Sequence, residues 1–168
     1  MDWKTVKPDA WQDNIFRRVA DDWMLICVGD AQKTNVMTAS FGSFGTLFFK
    51  PVAHIYVRPE RFTYSLLEKS DSFSLCFFNG ENYRKALQYC GKASGRDEDK
   101  IAHCGLTAQF IDGTPVIAEA DVNIICRKIY RQDIDPELLL DASIKQRTYP
   151  GGDTHRMYIG EILKILQK

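Results

Sequence analysis

The segment CGKASGRDEDK, residues 90–100, combines residue types that can bind an anion. It offers a hydroxyl, an open glycine backbone and two cations at the entrance of a predicted helix. These four residues are Ser94, Gly95, Arg96 and Lys100. Backbone N–H groups at a helix entrance attract anions, and phosphate is the commonest biological occupant of such sites. The segment therefore predicts a phosphate cradle.

The three acids of the same segment have a simpler role. Asp97 is suited to the N-cap or first turn of the helix DEDKIAHC, because its carboxylate can accept hydrogen bonds from free backbone N–H groups. A second reading treats the whole segment as a solvated helix start in which Arg96 and Lys100 pair with the acids. Taken alone, the segment favours neither reading.

A second segment, YVRPERFTYSLLEKS, repeats the combination of cations and a hydroxyl. A predicted strand ends at Arg58-Pro59 and a helix is predicted to begin at Thr63, whose side chain can cap it and face an anion. Arg58 and Arg61 stand just before that helix. These two segments and a third one could converge on one phosphate.

The third segment, TNVMTASFGS, alternates in the manner of a strand. Thr38 and Ser40 fall on one face by the two-residue period, and Asn35 precedes them. Each of the three segments can also be read as an ordinary cap or turn.

The elements that must position these residues are mostly strands. Short runs rich in β-branched and aromatic residues (MLICVG, TLFFKPVAHIYVRP, SFSLCFF, TPVIAEADVNIICRKIY and THRMYIGEILKIL) are separated by Gly, Asp, Asn or Pro. Helices are predicted over residues 11–23, 61–71, 81–91 and 97–105, and residues 129–143 form either a short helix starting at Pro136 or a loop insertion. This order predicts a mainly β, antiparallel barrel with peripheral α-helices.

Composition limits the classes of function. The 168 residues are 45 % hydrophobic, which is enough for one sizeable core, and we expect a single domain over residues 1–168 with a helical extension over 1–21. Lys and Arg total 22 and so do Asp and Glu, which gives a formal net charge of zero. A zero net charge argues against general electrostatic binding to nucleic acid or anionic lipid. Without a signal-like or membrane-length apolar run, we expect a cytoplasmic protein that binds no membrane.

The five cysteines are predicted to be reduced thiols. Cys27, Cys76 and Cys126 lie in apolar runs, where a thiol packs as a small hydrophobe. His103 and Cys104 are adjacent in sequence and could bind a metal ion together with Cys90. A fourth ligand is lacking, so we predict no metal site.

Taken together and in order, the motifs resemble those of the flavin reductase-like family, and of its flavoredoxin-type members in particular. The resemblance runs from about residue 22 to the C-terminus. It rests on NVMTASFGSFG, KPVAHIYVRPERFTYSLL, SFSLCFFN, CGKASGRDEDKIAHCGLT and GGDTHRMYIGEI. It implies an FMN-binding Greek-key split β-barrel that forms a homodimer with FMN near the subunit interface.

The resemblance also implies site residues in this chain. One set would lie along the flavin and its phosphate (Asn35, Met37, Thr38, Ala39 and Ser40), a second would form the opposite wall (Arg58, Pro59, Phe62 and Thr63), and a third would complete the cradle (Ser94, Gly95, Arg96 and Lys100). His155 matches the histidine of the family's D-H-x-x-x-x-G-E segment, near the flavin ring and the nicotinamide site, although Thr154 interrupts that motif here. Phe41 stands where the family often has Trp.

The implied function is an FMN-dependent oxidoreductase that transfers hydride from NADH or NADPH to the flavin. No G-x-G-x-x-G or P-loop motif predicts a separate nucleotide site, so the nicotinamide would stack directly on the flavin. Arg58 or Lys100 could lie at the flavin N1–C2=O edge instead of at the phosphate. Two alternatives stay open: a flavoredoxin-like carrier reduced by a redox-protein partner, and a non-catalytic FMN-binding module.

Overall fold

The structure is a computed structural model that describes residues 3–168. Its strands are β1 (Lys4–Val6), β2 (Met24–Gly29), β3 (Thr34–Ala39), β4 (Gly42–Leu47), β5 (Lys50–Val57), β6 (Ser72–Phe77), β7 (Ala108–Ile111), β8 (Thr114–Ile117), β9 (Val122–Asp133) and β10 (Arg156–Gln167). Its helices are α1 (Ile15–Arg17), which continues as a π-helical turn over Arg18–Asp22, then α2 (Phe62–Lys69), α3 (Arg84–Lys92), α4 (Lys100–His103) and α5 (Ala142–Thr148). Short 3₁₀ turns cover Pro8–Ala10, Glu81–Tyr83 and Pro136–Leu138.

One antiparallel sheet forms the body of the molecule. Its strands follow the order β3-β2-β6-β9-β10-β5-β4, with β1 added beside β10, and β7 pairs with β8 in a separate hairpin. Within residues 3–168 the two ends of this path, β3 and β4, do not pair with each other, so the barrel stays open. The predicted mainly β antiparallel barrel with peripheral α-helices is confirmed.

The sheet buries side chains on both faces. Met24, Ile26 and Val28 of β2 point into the barrel, where they join a core that includes Phe73 and Tyr158. Residues of the opposite register pack outwards against α3 and α4 in a second core (Leu25, Cys27, Val36, Cys76, Leu87, Cys90 and Ile101). This second core fixes α3 and α4 against β3, because side chains of alternate residues on a strand face opposite sides.

The longest strand pair bends at a glycine. The register of β9 and β10 shifts between Ile159 and Gly160, and a Cβ on Gly160 would lie 2.7 Å from the Phe73 ring. Only a residue without a side chain permits this approach. Strand β10 pairs with β5 from Arg156 to Glu161, across this shift, and with β1 from Ile165 onwards, beyond a second register shift between Ile162 and Lys164.

The structure differs from the predicted elements in three places. The N-terminal helix predicted over 11–23 is shorter and covers 15–22. The described part of the 1–21 extension also contains β1 and a 3₁₀ turn, and residues 1 and 2 lie outside the described residues. The run TLFFKPVAHIYV is a hairpin, because Phe48 and Phe49 take left-handed φ values of 53° and 60° without Gly or Asn to mark the turn. Residues 129–143 continue β9 and then form the 3₁₀ turn at Pro136.

Among residues 3–168, no helix is long and apolar enough to cross a membrane. All five cysteines are free, and Cys27, Cys76 and Cys126 are fully buried as predicted.

Candidate cofactor-binding site

A small cavity of about 210 Å³ lies where the start of α2 meets the loop between α3 and α4. Its lining combines three segments of the chain: Asn35 from β3, residues 60–63 from the entrance of α2, and residues 92–96 with Lys100. Three segments that are distant in sequence therefore meet in one cavity, but Thr38, Ser40 and Arg58, which the sequence also suggested for the phosphate, do not line it. We call this cavity the cradle.

Lys100 is the most unusual side chain of the cradle, because it is charged and only 3 % exposed. Its Nζ donates a hydrogen bond to the Cys90 carbonyl at 3.1 Å. Burial, with a smaller contribution from the charge of the nearby Arg61, lowers the pKa of Lys100 to about 8. An ammonium held in this environment gains free energy when an anion arrives beside it.

Arg61 is the second cation of the cradle. Its guanidinium donates to the Gly91 carbonyl at 2.7 Å and to the Cys90 carbonyl at 3.3 Å. Burial also lowers the pKa of Arg61 from its ordinary value. The carbonyls at the end of α3, which lack partners within the helix, thus hold two cations side by side at the negative end of the helix dipole.

The neutral side of the cradle is closely packed. Asn35, 4 % exposed, donates through Nδ2 to Thr63 Oγ1 at 2.8 Å. A Cβ on Gly95 would lie 2.0 Å from Asn35 Oδ1 and 2.9 Å from the Phe62 ring. Glycine is therefore required at position 95, where the backbone passes directly over the amide and the ring.

Ser94 and Arg96 shape the rim of the cradle. The Ser94 hydroxyl accepts from the Arg96 backbone N–H at 3.2 Å, which tightens the loop. Arg96 donates to the Glu60 carbonyl at 2.9 Å, and its guanidinium carbon lies 5.5 Å from the centre of the Phe62 ring. The exposed Arg96 therefore connects the α3–α4 loop to the entrance of α2.

The charge-paired reading of the CGKASGRDEDK segment does not hold in the structure. Within residues 3–168, neither Arg96 nor Lys100 of this segment forms an ion pair with a carboxylate, and neither do Arg58 and Arg61. The acid that caps α4 is Asp99, which accepts from the N–H groups of Ile101 and Ala102 at 3.0 and 3.1 Å. The prediction of Asp97 as N-cap is wrong, because Asp97 closes a tight turn onto the Ser94 carbonyl and the helix starts only at Lys100.

Two other local predictions also need correction. Thr63 lies inside the first turn of α2 and does not cap it, since the helix already begins at Phe62 and the Thr63 hydroxyl binds Asn35. Helix α3 covers Arg84–Lys92, so it begins three residues later and ends one residue later than the predicted 81–91.

A second group of side chains surrounds His155. Its Nδ1 lies 2.9 Å from the Tyr149 hydroxyl, and its ring centre lies 5.7 Å from that of Phe41. Arg58 donates to the carbonyls of Thr148 and Asp153 at 2.7 and 3.2 Å. Burial lowers the pKa of His155, and the charge of Arg58 adds to this effect, so the imidazole is neutral at pH 7.

A short turn links the two groups. The Arg61 N–H donates to the Arg58 carbonyl at 3.1 Å, with the exposed Pro59 at the second position of the turn. The two arginines therefore point apart: Arg61 lines the cradle, and Arg58 lies beside His155. The sequence placed Arg61 before the helix but did not assign it to the site, although it is the second arginine of R-P-x-R-x-T and could have been found from that motif. Tyr149 was not predicted at all.

Strand β3 runs from the cradle, at Asn35, towards Phe41 beside His155. It is an end strand that pairs only with β2, so one row of its backbone groups is free of strand partners within residues 3–168. The side chains of Met37 and Ala39 are buried in the barrel core, and the Thr38 hydroxyl donates to the Leu87 carbonyl. Ser40 follows the strand and is exposed. Along β3 the backbone, more than the side chains, is available to a ligand.

In the part of the chain that the structure describes, no group of three or more His, Cys, Asp or Glu residues is placed to hold a metal ion. Cys90 Sγ and Cys104 Sγ lie 3.7 Å apart, but His103 stacks on the Tyr89 ring instead of facing them.

The comparison with protein families identifies the chain. The family model for the flavin reductase like domain matches residues 16–168. The chain belongs to this family. The match covers nearly the whole chain and confirms the resemblance inferred from the motifs. A comparison with curated protein sequences found no significant match.

Solved structures give the same answer for the fold. Flavoredoxin from Methanosarcina acetivorans superposes with a TM-score of 0.67 at 21% identity, covering 88% of this chain and 68% of its own. The FMN-binding protein of Thermus thermophilus, solved with p-hydroxybenzaldehyde, gives 0.68 at 18% identity, covering 87% and 71%. The NADH:FAD oxidoreductase of Streptomyces globisporus gives 0.64 at 18% identity, covering 90% and 80%. The family member described here is therefore a split barrel.

Proposed function

We propose that this chain binds FMN and transfers electrons from NADH or NADPH to the flavin. The observation that supports the proposal most strongly is the cradle, where the buried Lys100 and the half-buried Arg61 lie together and neither forms an ion pair with a carboxylate among residues 3–168. Burying unpaired charge is unfavourable, and a fold retains it where an anion can be bound. Family membership makes the phosphate of FMN the best-supported anion.

Each residue has a separate task in this proposal. Lys100 and Arg61 bind the phosphate, the Thr63 hydroxyl and the Gly95 backbone approach it from the other side, and Asn35 holds Thr63 in position. Phe62 and Arg96 enclose the rim. The free edge of β3 over Met37–Ala39 offers backbone donors and acceptors to the ring system. Bound FMN would supply the hydride-accepting chemistry, and the protein supplies orientation and electrostatics.

His155 is the residue we assign to the nicotinamide side of the ring. It is neutral at pH 7, and its contact with the Tyr149 hydroxyl fixes the ring orientation. A neutral imidazole can exchange a hydrogen bond with an uncharged amide without repelling a cationic nicotinamide product. Phe41 supplies an exposed aromatic surface beside it, 52 % accessible.

Two other functions remain candidates within the same site. A flavoredoxin-like carrier, reduced by a redox-protein partner, is favoured by the similarity to flavoredoxin from M. acetivorans. A non-catalytic FMN-binding module is favoured by the similarity to the T. thermophilus FMN-binding protein. In both cases the cradle keeps its role, and the source of electrons differs.

One anaerobic titration separates the three functions. Protein loaded with FMN is mixed with NADH, then NADPH, then a reduced ferredoxin and finally dithionite, while the flavin absorbance at about 450 nm is followed. Loss of the band with a nicotinamide supports the reductase. Loss only with ferredoxin or dithionite contradicts the reductase and supports the carrier, and binding without any protein or nicotinamide donor supports the module.

We also propose a cytoplasmic homodimer. The β4–β5 hairpin exposes two neighbouring aromatic side chains, with Phe48 64 % and Phe49 104 % accessible. Exposed aromatic side chains are enriched at the centres of protein interfaces. Light scattering on the purified protein tests this: we expect the mass of two chains, and the mass of one chain contradicts the proposal.

A further inference from the structure

Two thiols lie in contact directly behind the cradle. Cys90, near the end of α3, places its Sγ 3.7 Å from the Sγ of Cys104, which caps the end of α4. A disulfide has an S–S length of about 2.05 Å, so the two sulfur atoms need to approach by only about 1.7 Å.

The two sulfur atoms differ in their access to solvent. Cys90 is fully buried, whereas Cys104 is partly exposed. Burial raises the pKa of Cys90 to about 12, and the neighbouring Lys100 opposes part of that rise. An oxidant from solvent therefore meets Cys104 first, and Cys90 is the thiol behind it.

The ring that such a bond would close is the cradle loop. Residues 90–104 contain the whole third set of site residues: Ser94, Gly95, Arg96 and Lys100. The Cys90 carbonyl, moreover, is the acceptor that both Lys100 and Arg61 share. The dithiol and the cradle are thus parts of one structural unit.

We infer that Cys90 and Cys104 form an oxidation site, at which hydrogen peroxide converts the dithiol to a disulfide that slows the release of FMN. The second half of this inference rests on the proposed function. Closing the ring restricts the loop in the conformation that surrounds the cradle, and a preorganised loop releases its ligand more slowly.

The chemistry balances with one molecule of peroxide. The Cys104 thiol loses its proton, its sulfur attacks one peroxide oxygen, and the O–O bond breaks, which gives the sulfenic acid and a hydroxide that takes up that proton as water. The Cys90 sulfur then attacks the Cys104 sulfur, the S–S bond forms, the S–O bond breaks, and the hydroxide that leaves takes the Cys90 proton as water. Two thiols are oxidised and one peroxide is reduced to two molecules of water.

The first test is mass spectrometry of the intact, folded protein after one equivalent of hydrogen peroxide. We expect a loss of about 2 Da that dithiothreitol reverses, and a peptide linking Cys90 to Cys104 after digestion with trypsin and chymotrypsin. C104S should show no change, and C90S should gain about 16 Da, because Cys104 is then oxidised to the sulfenic acid without a partner. C126S, which removes a buried thiol outside the pair, should behave as the wild type.

The second test measures the release of FMN by the rise in flavin fluorescence after dilution. We expect release from the oxidised protein to be at least about fivefold slower than from the reduced protein, with C104S unaffected by peroxide. Absence of the mass loss overturns the oxidation site, and equal release rates overturn its effect on the cofactor. If the reduced protein takes up no FMN, the proposed function fails while the mass measurement still decides the oxidation site.

Discussion

Replacing Lys100 by methionine separates a binding role from a structural one, because the two roles predict opposite changes in stability. In the folded protein the pKa of Lys100 is about 8, below the ordinary 10.5, so the charged form is disfavoured by folding. The difference corresponds to roughly 3 kcal/mol, a penalty that is complete below pH 8 and disappears as pH rises towards 10.5. K100M removes this penalty and loses one hydrogen bond worth about 1 kcal/mol.

We therefore expect unliganded K100M to be about 2 kcal/mol more stable than the wild type at pH 7, a rise in Tm of about 4–8 °C. Its affinity for FMN should fall at the same time. A charge-assisted hydrogen bond to phosphate contributes about 2–3 kcal/mol, so the Kd should rise by about 30- to 150-fold. A stabilising substitution that removes binding is typical of a functional residue.

The assay is a fluorescence titration with FMN and, in parallel, with riboflavin, which lacks the phosphate. K85M is the matched control, because Lys85 is exposed on α3 and faces solvent. If Lys100 binds the phosphate, K100M loses FMN affinity and keeps riboflavin affinity; loss of both places Lys100 at the flavin ring. Equal FMN affinities for K100M and K85M, or a less stable unliganded K100M, contradict a phosphate-binding role for Lys100.

Three further predictions concern the same site. G95A should lower both Tm and FMN affinity, the affinity by at least about tenfold, because its Cβ would lie 2.0 Å from Asn35 Oδ1. The control variant G45A, whose Cβ meets no atom within 4 Å, should change neither quantity. Equal effects of the two variants would contradict the close packing at Gly95. FMN affinity should fall by up to about tenfold per pH unit above pH 8, because Lys100 loses its proton, while riboflavin affinity stays constant. Titrations from about pH 7 to 10 measure both affinities. An FMN affinity that does not change with pH would argue against the cationic cradle. H155Q should slow anaerobic reduction by NADH at least about tenfold with FMN affinity unchanged, and wild-type stopped-flow rates for this variant would remove His155 from the nicotinamide side.

The general architecture could be predicted from the sequence because the strand signals are local. Alternating and β-branched runs identify most strands, and Gly, Asn, Asp and Pro mark most of their ends. The hairpin at Phe48–Phe49 was not predicted because it lacks such a local signal. Its two turn residues are aromatic, and only the tertiary fold holds them at positive φ. Tertiary packing overrides local propensity at this point.

Only part of the composition of the cradle could be predicted, because Arg61 was not assigned to it and Arg58, which was assigned, lies beside His155. Motif order indicated that Ser94, Gly95 and Lys100 belong together, whereas the division between Arg61 in the cradle and Arg58 beside His155 depends on how one turn directs two side chains. The burial of Lys100 is likewise a property of the packed α3–β3–α4 unit. No pattern in a single segment contains that information.

The contact between Cys90 and Cys104 shows the same limit. Their spacing of fourteen residues matches no redox motif, and the two sulfur atoms meet only because α3 and α4 pack on one face of β3.

The most direct test of FMN binding is an absorbance spectrum of the protein, from about 300 to 550 nm, after incubation with FMN and removal of unbound flavin. We predict bands at about 370 and 450 nm that remain with the protein in a ratio of about one flavin per chain, and that are lost from K100M under the same dilution. A colourless wild-type protein would contradict this prediction, and the cradle would then be only the means by which Lys100 and Arg61 cap the end of α3.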